Sequence, residues 1–294
     1  MLFYFAKTLF DKIKRGILMK KVLTIAGSDS SGGAGIQTDL KTFAACGVYG
    51  MSVITAITAQ NTIGVFGVEN ISDKMVREQA KAVFEDIGTD AVKVGMLSNV
   101  GIIRNVCETL RTYNPKNVVV DPVMISTSGF DLINTEAKDI LVNELLPLAD
   151  IITPNLSETR CIIHHIDRGI NINLVNPEEM KKAGEIIRGF TGNNVLIKGG
   201  HLEDKPCDVL VTKEGKTFYF ENERIETQNT HGTGCTLSSA IASNLALGYS
   251  VEDSVKNAKK FITDAIIHSL NIGHGCGPTN PMGSIYEKLG WSYK

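Results

Sequence analysis

Val22-Leu23-Thr24-Ile25-Ala26 is a short continuous apolar run closed by Gly27, the pattern of a strand buried on both faces of a parallel sheet. The loop Gly27-Ser28-Asp29-Ser30-Ser31-Gly32-Gly33 follows it. From about Ala34 to Cys46, Ile36, Leu40 and Phe43 recur at helical spacing. Strands are predicted at Ser52–Ala59 and Val65–Val68. Beyond them the periods alternate. Helices are predicted near 74–86, 99–112, 135–146, 156–164 and 177–190, with strands at 90–94, 117–121, 150–152 and 194–198. Such alternation predicts an α/β fold, a mostly parallel central sheet with helices on both faces. A hairpin-like pair, Cys207–Thr212 and Lys216–Phe220, turns at Glu214-Gly215. Two helices, about 234–247 and 251–269, close the chain. No linker, repeat or low-complexity stretch divides residues 19–294, which read as one domain.

Composition narrows the class. The 294 residues suffice for a full core. Lys plus Arg number 30 against 32 for Asp plus Glu, so nothing in the charge points to nucleic acid. The 6 cysteines are widely spaced and form no CxxC pair, which reads as reduced thiols of a cytoplasmic protein. Residues 1–18 stand apart as an N-terminal extension. Their apolar residues precede the basic ones, the reverse of a secretory signal, and the run is too short and charged to span a membrane. Leu2, Phe5, Leu9 and Ile13 could form an amphipathic face. Because Met19-Lys20-Lys21 opens the first strand cleanly, the extension is read first as an appended or mis-assigned start.

The most informative chemistry lies in Thr230-His231-Gly232-Thr233-Gly234-Cys235-Thr236, directly before the apolar helical run Leu237–Leu247. A glycine turn feeding a helix aims unpaired backbone N–H groups at one point, where the helix dipole also favours an anion. Cys235 falls in the first turn, where a thiol pKa tends to drop. Gly32-Gly33-Ala34-Gly35 opens a helix but fits neither a Walker A motif nor a dinucleotide fingerprint. A tight strand–helix turn explains it equally well. Asp39 lies within the first helix, either as a solvated surface group or, with Gln60 at a strand end, as a reader of an amino-substituted heteroaromatic ring. Asp121 ends a β run and faces the crevice where α/β sheets bind ligands. Asn155 and Glu158 have the spacing of a capping box. The alternative for Glu158 is a magnesium ion held through water. Lys198, before Gly199-Gly200, is a candidate phosphate partner. His164, His165, His231, His268 and His274 show no metal-ligand spacing and read as structural or surface residues.

Ala26-Gly27-Ser28-Asp29-Ser30-Ser31-Gly32-Gly33-Ala34-Gly35, Thr58-Ala59-Gln60-Asn61-Thr62, Lys93-Val94-Gly95-Met96-Leu97, Asp121-Pro122-Val123-Met124, Thr153-Pro154-Asn155, Lys198-Gly199-Gly200-His201 and the 230–236 segment occur in one order. Together they resemble the bacterial hydroxymethylpyrimidine/phosphomethylpyrimidine kinases of thiamine biosynthesis, in the ribokinase-like superfamily, over roughly Lys20 to Met282. The resemblance implies a ribokinase-like fold, ATP with Mg2+, a homodimer and two successive phosphorylations of an aminopyrimidine alcohol. By motif position Gly27, Asp39, Gln60, Met96 and Val123 would bind the pyrimidine. Asp121, Asn155, Lys198 and Thr230 would serve ATP and its phosphates, and Glu158 the metal. Gly232, Thr233, Gly234 and Cys235 would form the catalytic anion hole, with Cys235 where sugar kinases of the superfamily carry an aspartate base.

One segment departs from the pattern. Many relatives place a lysine just after the Asp-Pro-Val-Met motif, whereas this chain reads Ile125-Ser126-Thr127-Ser128-Gly129. Two rival readings stand beside the kinase of thiamine synthesis. One is a pyridoxal or pyridoxine kinase of the same branch, or dual activity. Gln60 argues against it, since its amide can pair with an aminopyrimidine. The other is a non-catalytic pyrimidine-binding protein, opposed by the anion hole, Lys198 and Asn155-x-x-Glu158.

Overall fold

Strand β1 (Lys21–Asp29) is the axis of the sheet, flanked by β2 (Tyr49–Gln60) and β4 (Ala91–Val94). In the computed structural model, residues 19–124, 133–200, 202 and 205–291 are described. The 1–18 extension and the 125–129 departure lie outside them. The order of the 9-stranded sheet is β3-β2-β1-β4-β5-β6-β7-β8-β9, with β3 (Val65–Asn70), β5 (Val118–Val120), β6 (Ile151–Ile152), β7 (Asn194–Ile197), β8 (Cys207–Val211) and β9 (Thr217–Glu221). From β2 through β7 every neighbouring pair is parallel. The antiparallel strands lie at the edges, β3 on β2, and the β8–β9 hairpin on β7.

The helices follow the predicted alternation closely. They are α1 (Gly35–Ala45), α2 (Asp73–Ala82), α3 (Val100–Tyr113), α4 (Thr135–Ile140), α5 (Leu156–Ile166), α6 (Pro177–Thr191), α7 (Thr233–Ala246) and α8 (Val251–Ile267). A short α9 (Gly283–Lys288) was not legible, because so few residues show no 3.6-residue period. Several starts carry their own signals. Ser72, Asn99, Asn134, Asn155, Asn176 and Ser250 each accept a hydrogen bond from the first turn they cap.

Strand alternation divides the core into two layers. Leu23, Ile25, Val92, Val94, Val120 and Ile152 face one cluster, whereas Val22, Ala91, Val119 and Ile151 face another built with α7 and α8. Lys93 shares the side of Ala91, so its side chain points beneath α7. The chain leaves β1 toward β2 and later returns on β1's other side with β4. This reversal makes a topological switch point, and the crevice outside the carboxyl ends of β1 and β4 is where such sheets bind ligands.

Candidate active site

The floor of the crevice is formed by Gly27 and Met96, at the ends of β1 and β4. A Cβ on Gly27 would sit 3.1 Å from the Met96 sulfur, so the glycine lets the Met96 side chain approach β1 closely. Met96 and Val123 are half-buried, as suits pocket-lining residues.

Asp29, at the end of β1, organises the loop that follows. Its carboxylate accepts from the Ser31 N–H and hydroxyl, both at 2.8 Å, and from the Ala34 N–H at 2.8 Å. His231 Nε2 lies 2.8 Å from Asp29 Oδ2 and 3.4 Å from Gln60 Nε2. Burial penalises the Asp29 charge, but the bonds from His231 and Ser31 outweigh it and hold the carboxyl below its usual range. Sequence reasoning missed both Asp29 and His231. The available signal for Asp29 was an Asp at a strand end two residues before a Ser, ahead of two glycines, a side chain that bonds its own turn. Gln60 fits its expected place. With His231, Asn61, Thr62, His274 and Cys276 it lines a cleft of about 300 Å³.

Helix α7 begins above this loop. Gly232 is its N-cap at φ 80, and Thr236 N–H returns to the Gly232 carbonyl at 2.9 Å. The Thr233 N–H is engaged with the Thr230 carbonyl at 3.2 Å. The expected anion hole over 232–235 therefore narrows to the first-turn N–H groups of Gly234 and Cys235, which have no acceptor within the helix. A Cβ on Gly234 would lie 3.4 Å from both Asp121 Oδ2 and Lys198 Nζ, so the first turn of α7 packs against that pair. Thr230 is exposed at the rim.

Lys198 donates to Asp121 Oδ1 at 2.6 Å and lies 3.9 Å from Glu158 Oε2. Burial opposes the Asp121 charge, yet Lys198 and Lys93 hold it below the usual carboxylate range. Asn155 and Glu158 form the full capping box of α5, with Glu158 N–H to Asn155 Oδ1 at 2.9 Å and Asn155 N–H to Glu158 Oε2 at 2.7 Å. Glu158 is nevertheless unlike an ordinary cap. Burial pushes its carboxyl up to about 7, against the pull of Lys198 and aided by Asp121.

Two expectations are corrected. Asp39 is neither a surface group nor on the crevice wall. It is 0% exposed and holds Lys93 Nζ at 2.9 and 3.0 Å, Thr24 Oγ1 at 2.6 Å and Ser239 Oγ at 2.7 Å. With every oxygen committed and no surface, it cannot touch a ring without breaking a buried pair, a loss typically of about 3–5 kcal/mol. Its partner Lys93 is 54 residues away in sequence, which is why spacing alone could not reveal it. The Cys235 thiol is not lowered. Burial pushes it up to about 11, Lys93 pulls it down, and Asp39 and Asp121 push it up again.

The sheet order, the edge strands and a glycine-started helix over a Lys–carboxylate pair are those of a small-molecule kinase of the ribokinase-like class. The chain belongs to the phosphomethylpyrimidine kinase family, whose model matches residues 29–280. It is 44% identical over 266 residues to a hydroxymethylpyrimidine/phosphomethylpyrimidine kinase of Haemophilus influenzae, covering 89% of this chain and 96% of that one. It spans about half, 48%, of a probable bifunctional thiamine biosynthetic enzyme of Oryza sativa, to which it is 43% identical. Among solved structures it is similar to a phosphomethylpyrimidine kinase of Clostridium difficile (TM-score 0.73, 52% identity, 84% of this chain and 99% of that one). It is also similar to an ADP complex of Bacillus subtilis pyridoxal kinase (TM-score 0.82, 39% identity, 91% and 99%).

Proposed function

We propose that this chain transfers the terminal phosphoryl group of ATP to the hydroxyl of hydroxymethylpyrimidine and then to the monophosphate so formed, giving the diphosphate used in thiamine biosynthesis. The observation that carries this reading is the placement of Gly234 against both Asp121 and Lys198, 3.4 Å from each at its Cβ position. The first turn of α7, with its unpaired backbone donors, packs there beside a largely buried cation, an arrangement suited to stabilising phosphoryl charge in flight.

Gly27, Met96 and Val123 line the ring's pocket, and Gln60 pairs with its amino and ring nitrogens. Thr230, Asn155 and Lys198 serve the phosphates of ATP. Mg2+ suits the donor set. The described residues hold no cluster of three ligating side chains, but magnesium in kinases is held by one or two carboxylates, water and phosphates. Glu158, whose carboxyl burial raises to about 7 against the pull of Lys198, would hold it through water. When bound it would neutralise phosphate charge. In the first step the acceptor hydroxyl loses a proton as its oxygen bonds phosphorus, and Cys235 takes that proton. In the second step the acceptor is an ionised phosphate oxygen and needs no base.

None of the 6 cysteines is disulfide-bonded, and no helix among the described residues is long and apolar enough to cross a membrane. A cytoplasmic homodimer is the assembly we propose. The deciding experiment is a side-by-side kinase assay with hydroxymethylpyrimidine, its monophosphate, pyridoxal and pyridoxine. Turnover of the two pyrimidines to the diphosphate supports the reading. Accumulation of monophosphate with no diphosphate at saturating ATP overturns the two-step assignment. Turnover confined to pyridoxal or pyridoxine replaces it with the pyridoxal kinase reading.

A further inference from the structure

Lys93 is 0% exposed, sits one residue from the end of β4, and beyond its influence on Asp121 has no role assigned above. We propose that Lys93, with Asp39 as its counter-ion, is a positioning residue that sets the place and the acidity of the Cys235 thiol. The proposal rests on the reading that Cys235 takes the hydroxyl proton in the first step.

The geometry is a clamp around one turn of α7. Ser239, one turn after Cys235 and on the same side of the helix, donates to Asp39 Oδ1 at 2.7 Å. Ser238, whose hydroxyl donates to the Gly234 carbonyl at 2.9 Å, lies 3.3 Å from Asp121 Oδ2. Lys93 Nζ binds both oxygens of Asp39, and Thr24 of β1 donates to Oδ2 at 2.6 Å. One ion pair thus joins β1, β4, α1 and α7 beneath the thiol. The ammonium also lies directly under the crevice floor, since a Cβ on Gly95 would fall 2.6 Å from Lys93 Nζ. The backbone of Gly35, at the start of α1, also favours the Cys235 thiolate.

The charged groups that face Cys235 are Lys93 from β4, Asp39 from α1, Asp121 after β5 and Lys198 after β7. After burial itself, Lys93 has the largest influence, and it favours the thiolate. Asp39 and Asp121 oppose it. The pair therefore presents its positive end to the sulfur. Ionisation releases the Sγ proton to solvent. In the first step the thiolate then accepts the substrate hydroxyl proton, while the new O–P bond forms and the bond from phosphorus to the ADP oxygen breaks.

The test follows alkylation of Cys235 by iodoacetamide against pH, read on the Cys235 peptide by mass spectrometry. The proteins are the full-length wild type, Lys93→Met, Asp39→Asn and the double variant. Lys93→Met should raise the midpoint by about one pH unit or more, slowing alkylation about tenfold at fixed pH. Asp39→Asn should lower it, and the double variant should lie above Asp39→Asn. A merely structural pair would move both single variants the same way, and that result, or no movement, overturns the proposal. Should Lys93→Met not fold, Asp39→Asn and the double variant carry the same comparison with neutral partners. The pH profile of first-step kcat/KM should shift in the same sense, with the second step unmoved. Opposite alkylation shifts with an unmoved first-step profile would uphold control of the thiol by Lys93 and remove Cys235 as the base.

Discussion

Gly33 and Gly232 meet so closely that a Cβ on Gly232 would lie 1.8 Å from the Gly33 carbonyl oxygen. A Cβ on Gly33 would in turn fall 2.3 Å from His231 Cδ2. The two glycine motifs, far apart in sequence, are halves of one structure. The first loop, folded around Asp29, is the seat on which the N-terminus of α7 rests. His231 fastens the two by its 2.8 Å contact with Asp29.

Gly232→Ala should therefore damage both stability and activity. Gly232 has φ 80, a conformation that costs a side-chain-bearing residue about 1–3 kcal/mol, and the clash with Gly33 adds to it. Denaturant unfolding should show at least this loss, with both phosphorylations impaired together. An unchanged midpoint with full activity would show that the two loops separate freely.

The fold was legible because its periods are strong. Buried strands read as apolar runs and helices as 3.6-residue repeats, and their alternation requires a parallel sheet. Gln60 and Gly234 were legible as candidates because they stand at a strand end and a helix start, which the topology brings to one side of the sheet. Asp39 and Lys93 were not. Each is a charged residue in an apolar pattern, and only the tertiary pairing of α1 with β4 shows that they neutralise each other. The Cys235 thiol misled for the same reason. The helix terminus is local and favours ionisation, whereas the burial that dominates is a property of the packed molecule.

Gln60→Met should weaken use of hydroxymethylpyrimidine more than use of pyridoxal. Gln60 lines the cleft beside His231, and losing its amide leaves polar groups of an aminopyrimidine unpaired, at about 1–3 kcal/mol. The comparison is kcat/KM for each substrate on the same preparations. Equal losses would remove Gln60 from specificity.

Glu158→Gln should separate stability from activity. The folded protein raises this carboxyl from 4.5 to about 7, so folding favours the protonated form. Its stabilising contribution is then full below about 4.5 and is lost as pH rises through 7. Glutamine cannot ionise, and its amide oxygen can still accept the Asn155 N–H of the capping box. The variant should be more stable than wild type at pH 8, on the order of 1–3 kcal/mol, and no more stable at pH 4.5. Its ATP-dependent turnover should fall, since a carboxylate beside the phosphates is gone. Thermal unfolding across this pH range, alongside kinase assays, checks both. A variant with unchanged stability at every pH and full turnover would mean that Glu158 acts only as a cap.

The last prediction concerns Cys235 and the difference between the two steps. The thiol is pushed up to about 11, so at neutral pH only a small fraction is thiolate. If that fraction accepts the hydroxyl proton, first-step kcat/KM should climb with pH toward 11, by up to about tenfold per unit. The second step, whose acceptor oxygen carries no proton to remove, should stay nearly flat once its phosphate is ionised. Cys235→Ala keeps the backbone N–H groups of residues 234 and 235, so charge stabilisation survives in both steps. It should flatten the alkaline rise of the first step and slow that step far more than the second. Cys235→Asp should keep part of the first step, because a carboxylate is ionised at neutral pH and can take the same proton if it reaches the hydroxyl. The measurement is kcat/KM for each step between pH 6 and 10, with purified monophosphate as the substrate of the second. If alanine leaves the first step within about threefold of wild type across the range, a base contribution of the usual size is absent and the anion hole alone sustains the reaction.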